Sequence, residues 1–251
     1  MNFDQLLNVS MRLGTMLLEN GAEIYRVEES IRRMVLAYGA REVDVYAIPN
    51  TIIVTLMTIQ HINLTKTKRI HDRTTNLDKV ERLNHLCRQI CQNTPDLNIV
   101  DAQLDEISKR PIYGFYAQLM AYAITSSMFT LFFGGAFVDA FWSFWIGPLL
   151  KITAYHLTKL RTNPFFTTIL CSFLCGLLSN LICHFHLALH VDKMIIGLVM
   201  NLVPGVAITN SVRDIIAGDF IAGQTKMTEA LLTATSIAVG TGIAFSISSS
   251  F

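Results

Sequence analysis

Charge stops partway along this chain, and that discontinuity constrains the fold more than any single motif. Of its 39 formal charges, 28 lie in the first 110 residues, 14 basic and 14 acidic, and only 11 in the remaining 141. From Ile112 to Val138 there is no Asp, Glu, Lys or Arg. A helix needs about 20 apolar residues to cross the hydrocarbon core of a bilayer. The pattern therefore predicts an α+β soluble-type domain over residues 1–110, followed by an α-helical transmembrane domain over residues 111–251. Balanced charge in the first part leaves no footprint for nucleic acid. Asp4 stands where the basic region of a secretory leader would be, and Met1–Leu18 is amphipathic rather than uniformly apolar. The first domain is thus expected to stay in the cytoplasm. Five cysteines, an odd number without secreted-domain spacing, are expected as free thiols.

Within residues 1–110 the apolar periodicity changes twice. Leu6, Val9, Leu13, Met16 and Leu17 recur at helical spacing, and Asn20-Gly21 is a helix stop. Ile24, Val27, Ile31, Met34 and Val35 mark a second helix ending at Gly39. Val43, Val45 and Ala47 then alternate with polar residues, as in a half-buried strand. Pro49-Asn50 predicts a turn, Thr51–Thr58 a more buried strand, and Ile62–Lys68 a third. Asn76 and Asp96 are placed to cap two further helices. Glu23, Arg26, Glu28 and Glu29 read as a solvated helix face with i,i+3 pairs. Cys87 and Cys91, with His85 nearby, fall short of the four ligands zinc normally takes, so packing is expected there and no metal.

Beyond Arg110 the hydropathy predicts five spans: Ile112–Gly134, Phe137–Thr158, Pro164–His186, Met194–Thr209 and Glu229–Ser249. Trp142 and Trp145 suit an interfacial belt, with Asp139 expected at that surface. Lys109, Arg110, Lys159, Arg161, Arg213 and Lys226 fall in alternate loops, against Lys193 beside Asp192 in the others. This bias places the N terminus in the cytoplasm and the C terminus outside. An odd number of spans leaves room for an inverted partner unit, of the kind many transporters use.

The fourth span departs most from a plain apolar helix, carrying Asn201, Pro204, Gly205, Thr209 and Asn210. Proline removes a backbone donor, and broken helices at membrane depth are a pointer to a transport site. A simple kink with Asn bonding between helices is the alternative. Arg213, Asp214 and Asp219 follow in a small-residue-rich segment. A guanidinium matches carboxylate geometry, so Arg213 is a candidate for a substrate carboxylate and the two aspartates for pairing, gating or proton exchange. A solvated cytoplasmic loop is the competing reading. Asn201, Pro204, Gly205, Asn210, Arg213, Asp214 and Asp219 form the candidate substrate path. His184, His186 and His190 lack an obvious fourth ligand and read as an outer loop, while Cys171 and Cys175 read as small packing residues.

Asn20-Gly21-Ala22-Glu23-Ile24-Tyr25-Arg26-Val27-Glu28-Glu29 resembles the N-terminal signature of the threonine/serine exporter family. Tyr38-Gly39-Ala40, Asp44-Val45-Tyr46, Pro49-Asn50-Thr51 and Asn76-Leu77 continue it. Pro204-Gly205 through Asn210, Arg213-Asp214 and Gly218-Asp219 resemble its membrane signature. The resemblance implies export of threonine and serine by a cytoplasmic domain joined to ten spans. In split members these are shared between a larger subunit and a small second membrane subunit, a form associated in enteric bacteria with succinate export. Five expected spans make this chain similar to the larger subunit. The expected function is secondary export of small carboxylate-bearing metabolites (amino acid or dicarboxylate) across the bacterial inner membrane. A small partner of the same family is expected, a homo-oligomer is an option, and no cofactor is expected. No Gly-x4-Gly-Lys-Ser/Thr loop supplies a built-in ATP motor. Five spans exceed what anchoring requires, and the first domain offers no recognisable nucleophile or metal set, so a transporter and not an enzyme is expected. The alternative is a membrane-tethered enzyme, or a regulatory subunit whose soluble domain carries the activity.

Overall fold

The computed structural model describes residues 2–111 and 113–248. The expected start of the first span at Ile112 and the end of the fifth at Ser249 lie outside them. The chain forms two compact units, residues 1–110 with 206–228, and residues 111–205 with 229–251. The expected division at Arg110 is therefore incomplete, because Val206–Thr228 packs with the N-terminal residues.

In the first unit, α1 (Phe3–Glu19) is the central helix, touched by α2 (Ile24–Ala37), α3 (Leu77–Asn93), α4 (Leu97–Lys109) and the sheet. Its burial exceeds the expected single stripe: nearly every position from Leu6 to Leu18 is buried, including Ser10 and Thr15. The Ser10 hydroxyl bonds the Leu7 carbonyl, whereas the Thr15 hydroxyl has no hydrogen-bond partner among the described residues. The turn into α2 follows helix-stop chemistry. Gly21 has φ +90°, its N–H donates to Leu18, and the Ala22 N–H donates to Leu17. A Cβ at Gly21 would also sit 3.1 Å from the Thr74 carbonyl, so glycine suits both the conformation and the space.

The sheet is an antiparallel meander of β1 (Glu42–Ile48), β2 (Thr51–Met57) and β3 (Asn63–Arg69). Ile48 pairs with Thr51 across the Pro49-Asn50 turn. Val43, Val45 and Ala47 face inward with Ile52, Val54 and Leu56. β2 is therefore half-buried like β1, not buried on both faces. Edge strand β3 carries Lys66, Lys68 and Arg69, charges that discourage further strand pairing. Asn76 caps α3 by accepting from Lys79, and Asp96 caps α4 by accepting from Asn98. Arg12 ties α1 to α4 through Asp101 at 2.6 Å and through Asp105.

The second unit holds α5 (Phe115–Phe132), α6 (Phe137–Lys159), α7 (Pro164–His184), α8 (Val191–Val199) and the later part of α10 (Phe220–Ser248). Helices approach closely where residues are small. A Cβ at Gly197 would lie 2.6 Å from the Thr130 backbone nitrogen, so α8 presses directly on α5. Thr130 bonds Ser143 at 2.9 Å, adding a polar tie from α5 to α6. Asp139, expected at a surface, is instead fully buried. It accepts from the Leu189 and His190 backbone at 2.6 and 3.2 Å and faces the His190 ring at 2.8 Å. With the Ala136 N–H, which it accepts at 2.8 Å, four such contacts offset its desolvation.

Two of the described helices, α7 and α10, are long and apolar enough to cross a membrane, where five spans were expected. Polar residues lower the apolarity of α5 and α6, among them Gln118, Asp139 and Lys151. The expected fourth span is broken between α8 and α9 (Gly205–Ala217) around Pro204. The fifth begins earlier than expected, at Phe220, and takes in Lys226, which sequence placed in a loop.

Candidate functional site

The start of α2 poses a local problem that a distant segment solves. The first turns of any helix expose unbonded N–H groups and a partial positive charge. Glu23 occupies the N-cap of α2, yet its side chain makes no capping bond. Asp214 of α9, 190 residues away, accepts the Ile24 N–H at 3.0 Å. Its other oxygen accepts from Lys226 Nζ at 2.7 Å. Lys226 also reaches the Ala22 carbonyl at 3.5 Å. Asp214 is 0 % and Lys226 8 % exposed, so a complete ion pair is enclosed with backbone partners on both sides.

A second pair lies beside the first. Glu23 is only 7 % exposed. Its two oxygens take Arg213 of α9 at 2.9 Å and Arg26 of α2 at 3.0 Å. Asn210, one turn before Arg213 and Asp214, donates to the Gly21 carbonyl at 3.0 Å. The Gly21–Ile24 segment is thus gripped by Asn210, Arg213, Asp214 and Lys226. Helical spacing explains why one element can do this: positions 210, 213 and 214 share a face of α9. The Arg213 side chain stays 56 % exposed, which leaves its guanidinium accessible beside a cavity of about 430 Å³.

Asp219 follows the Gly218 turn and directly precedes α10, its carbonyl accepting from Gly223 at 2.9 Å. Burial raises its carboxyl above the ordinary range, Asp214 raises it further, and Lys226 opposes both. Glu28 is half-buried and accepts the Ala47 N–H at 2.7 Å. Burial raises its carboxyl too; Ala47 and Arg32 oppose this, and Asp219 adds to it.

Of the seven expected path residues, Asn210, Arg213 and Asp214 meet at α2, with Asp219 close in sequence. Pro204 sits in the break before α9, and Gly205 is the first residue of α9. Asn201 belongs to the second unit, where it donates to Ser126 Oγ at 2.8 Å. Sequence reasoning missed Glu23 and Lys226. Glu23 was read on a solvated face but is buried, because two guanidiniums compensate it. Lys226 carried a usable signal in its spacing, with Ala222 and Ala230 one helical turn to either side; the structure buries all three. Cys87 is buried against α2, its thiol donating to the Ser30 carbonyl at 3.6 Å. Burial holds that thiol at a pKa of about 11, which leaves it protonated at neutral pH.

Comparison with known proteins gives this geometry a context. The ThrE family model, described as "Putative threonine/serine exporter", matches residues 8–248. A threonine/serine exporter of Corynebacterium glutamicum is 22 % identical over 250 residues, covering 97 % of this chain and 51 % of that protein. The chain therefore spans about half the length of the curated relative it matches. No solved structure matches. The family match extends over almost the whole chain, including both segments that meet at α2, and the chain belongs to the threonine/serine exporter family.

Proposed function

We propose that this chain is a subunit of a secondary exporter of small carboxylate-bearing metabolites, either threonine and serine or a succinate-like dicarboxylate. It works in the bacterial inner membrane with a small second membrane subunit of the same family. Its N terminus is cytoplasmic and its C terminus outside. The observation that carries this reading is the paired arrangement of Glu23 with Arg213 and of Asp214 with Lys226. Arg213 is accessible and already bound to a carboxylate from its own chain, so an arriving substrate carboxylate has a geometrically equivalent partner to replace. Asp214 and Lys226 stay paired meanwhile and keep α9 fixed to α2. The expected path residues Asn210, Arg213, Asp214 and Asp219 act together here, while Asn201, Pro204 and Gly205 act at the helix break. Asp219, with its raised carboxyl, is the proposed proton-exchanging group. Family membership supports the exporter class; the choice of substrate and the second subunit belong to the proposal.

The test measures threonine, serine and succinate released by cells lacking their own exporters. The cells express this chain alone, with a candidate small subunit, or with Arg213→Ala in place of the native residue. Release only with the pair, falling at least about tenfold in Arg213→Ala at equal membrane abundance, is expected. Full release by Arg213→Ala would remove Arg213 from the path, and full release by the chain alone would remove the second subunit.

A further inference from the structure

A groove runs between α2 and α3 within the first unit. One end is the cavity beside Arg213, lined also by Arg26, Glu81, Asn84 and Arg88. The other end, of about 450 Å³, shares Arg26, Asn84 and Arg88 and adds Arg33, Ser30 and Gln92. Both volumes lie in the range of small-molecule sites.

Its charges are unevenly satisfied. Arg33 is paired with Glu29, and Arg26 and Arg213 share Glu23. Arg88 has no ion-pair or hydrogen-bond partner among the described residues, and neither does the amide of Asn84. These two lie four residues apart on α3, so they share one face and project into the same stretch of groove. Glu81, one turn earlier and also without a partner, lies at the Arg213 end. Four guanidiniums against three carboxylates leave the groove with a net positive charge and one guanidinium uncommitted.

We propose that the α2–α3 groove is a binding site for a small organic carboxylate, with Arg88 taking the carboxylate and Asn84 a neighbouring polar group. Guanidinium is suited to this ligand because its fork meets both carboxylate oxygens. Glu81 offers an acceptor to an ammonium group, which favours an α-amino acid over a dicarboxylate. The site gives the first unit a means of sensing or loading the metabolite. The choice of probes rests on the exporter reading, whereas the groove and its unpaired Arg88 do not.

The experiment is direct binding, independent of transport. Full-length protein in detergent is titrated with L-threonine, L-serine, succinate or inorganic phosphate, and heat of binding is recorded. Saturable binding of at least one carboxylate is expected. It should weaken at least about tenfold in Arg88→Ala and persist in Arg82→Ala, which removes a half-buried guanidinium of α3 paired with Asp78 that does not line the groove. Arg88 is exposed and Arg82 half-buried; unfolding temperatures of both variants confirm that they fold. Absence of saturable binding by all three carboxylates overturns the proposal, as does equal binding by wild type and Arg88→Ala or equal loss in Arg82→Ala. Phosphate binding as tightly as any carboxylate overturns the ligand class. Binding with no export in cells leaves this site standing and counts against the exporter reading instead.

Discussion

Lys226 and Asp214 form the most enclosed ion pair among the described residues. Both are enclosed, and the pair satisfies a helix terminus as well as itself. Removing the lysine would leave a buried carboxylate facing only one backbone donor. Breaking a buried pair from one side costs about 3–5 kcal/mol, whereas replacing both charges costs far less. Lys226→Met should therefore lower the thermal unfolding temperature of the detergent-solubilised protein sharply. Adding Asp214→Asn should restore most of the loss, since an amide oxygen can still accept the Ile24 N–H. An unchanged unfolding temperature in Lys226→Met would mean the pair is solvated. Glu28 gives a residue-level prediction of opposite sign. Its carboxyl is raised by burial and by Asp219, against the Ala47 N–H and Arg32. The folded state therefore holds its proton more tightly than the unfolded state. That contribution to stability is full below the ordinary carboxylate value and is lost as pH rises through the raised value. Glu28→Gln keeps an acceptor for Ala47 without the charge. Its unfolding temperature relative to wild type should rise as the pH is taken up from the ordinary glutamate value of about 4; a constant difference would refute the assignment.

At the scale of elements, sequence was informative wherever the cause of a structure is local. The two helix starts at Asn76 and Asp96 were readable because a short polar side chain caps the next turn. The stop at Gly21 was readable because few other residues take a positive φ there. The Pro204 break was readable as a weakness, although not as the boundary between two separate helices. What stayed hidden is the cap on α2, because its donor and acceptor are 190 residues apart. No periodicity within α2 signals a missing cap, and Glu23 at the N-cap looks adequate on its own. The same blindness produced the reading of Glu23 as solvated: its two guanidinium partners come from its own helix and from α9, and only one of these is visible in a helical wheel. Lys226 was counted as a loop charge because hydropathy averages conceal one lysine on a stripe of small residues. For Asp214 and Asp219, pairing with Arg213 was one expected role beside gating and proton exchange; Arg213 and Asp214 do not pair with each other. The structure gives each a different partner, Glu23 for one and Lys226 for the other.

For the whole molecule, this correction changes the weight of the orientation argument without reversing it. The positive-inside bias concerns basic residues free to sit in loops near the membrane. Lys226 is committed to Asp214 inside the first unit, so it no longer belongs in that count. On the same ground Arg110 and Arg213, paired with Asp78 and Glu23, leave the count, as does Lys193, paired with Asp192 at 3.1 Å. Lys109, Lys159 and Arg161 remain, all on one side of the tally. α7, with 21 residues, is about 31 Å long at the helical rise, enough for the hydrocarbon core in one crossing. It starts just after Arg161 and ends at His184, so the bias directs its start inward and its end outward. A reporter pair tests this without reference to substrate. Alkaline phosphatase, active only outside the cytoplasm, and green fluorescent protein, which in the Sec-exported form is dark outside it, are fused in turn after Arg161, His190 and Ser248. Fluorescence without phosphatase activity is expected after Arg161, and phosphatase activity without fluorescence after His190 and Ser248. The reverse pattern at Arg161 and His190 would invert α7. Fluorescence after Ser248 would place α10 with both ends inside, and the proposed outward C terminus would fall while the Arg213 cluster, which depends only on contacts within the first unit, would stand.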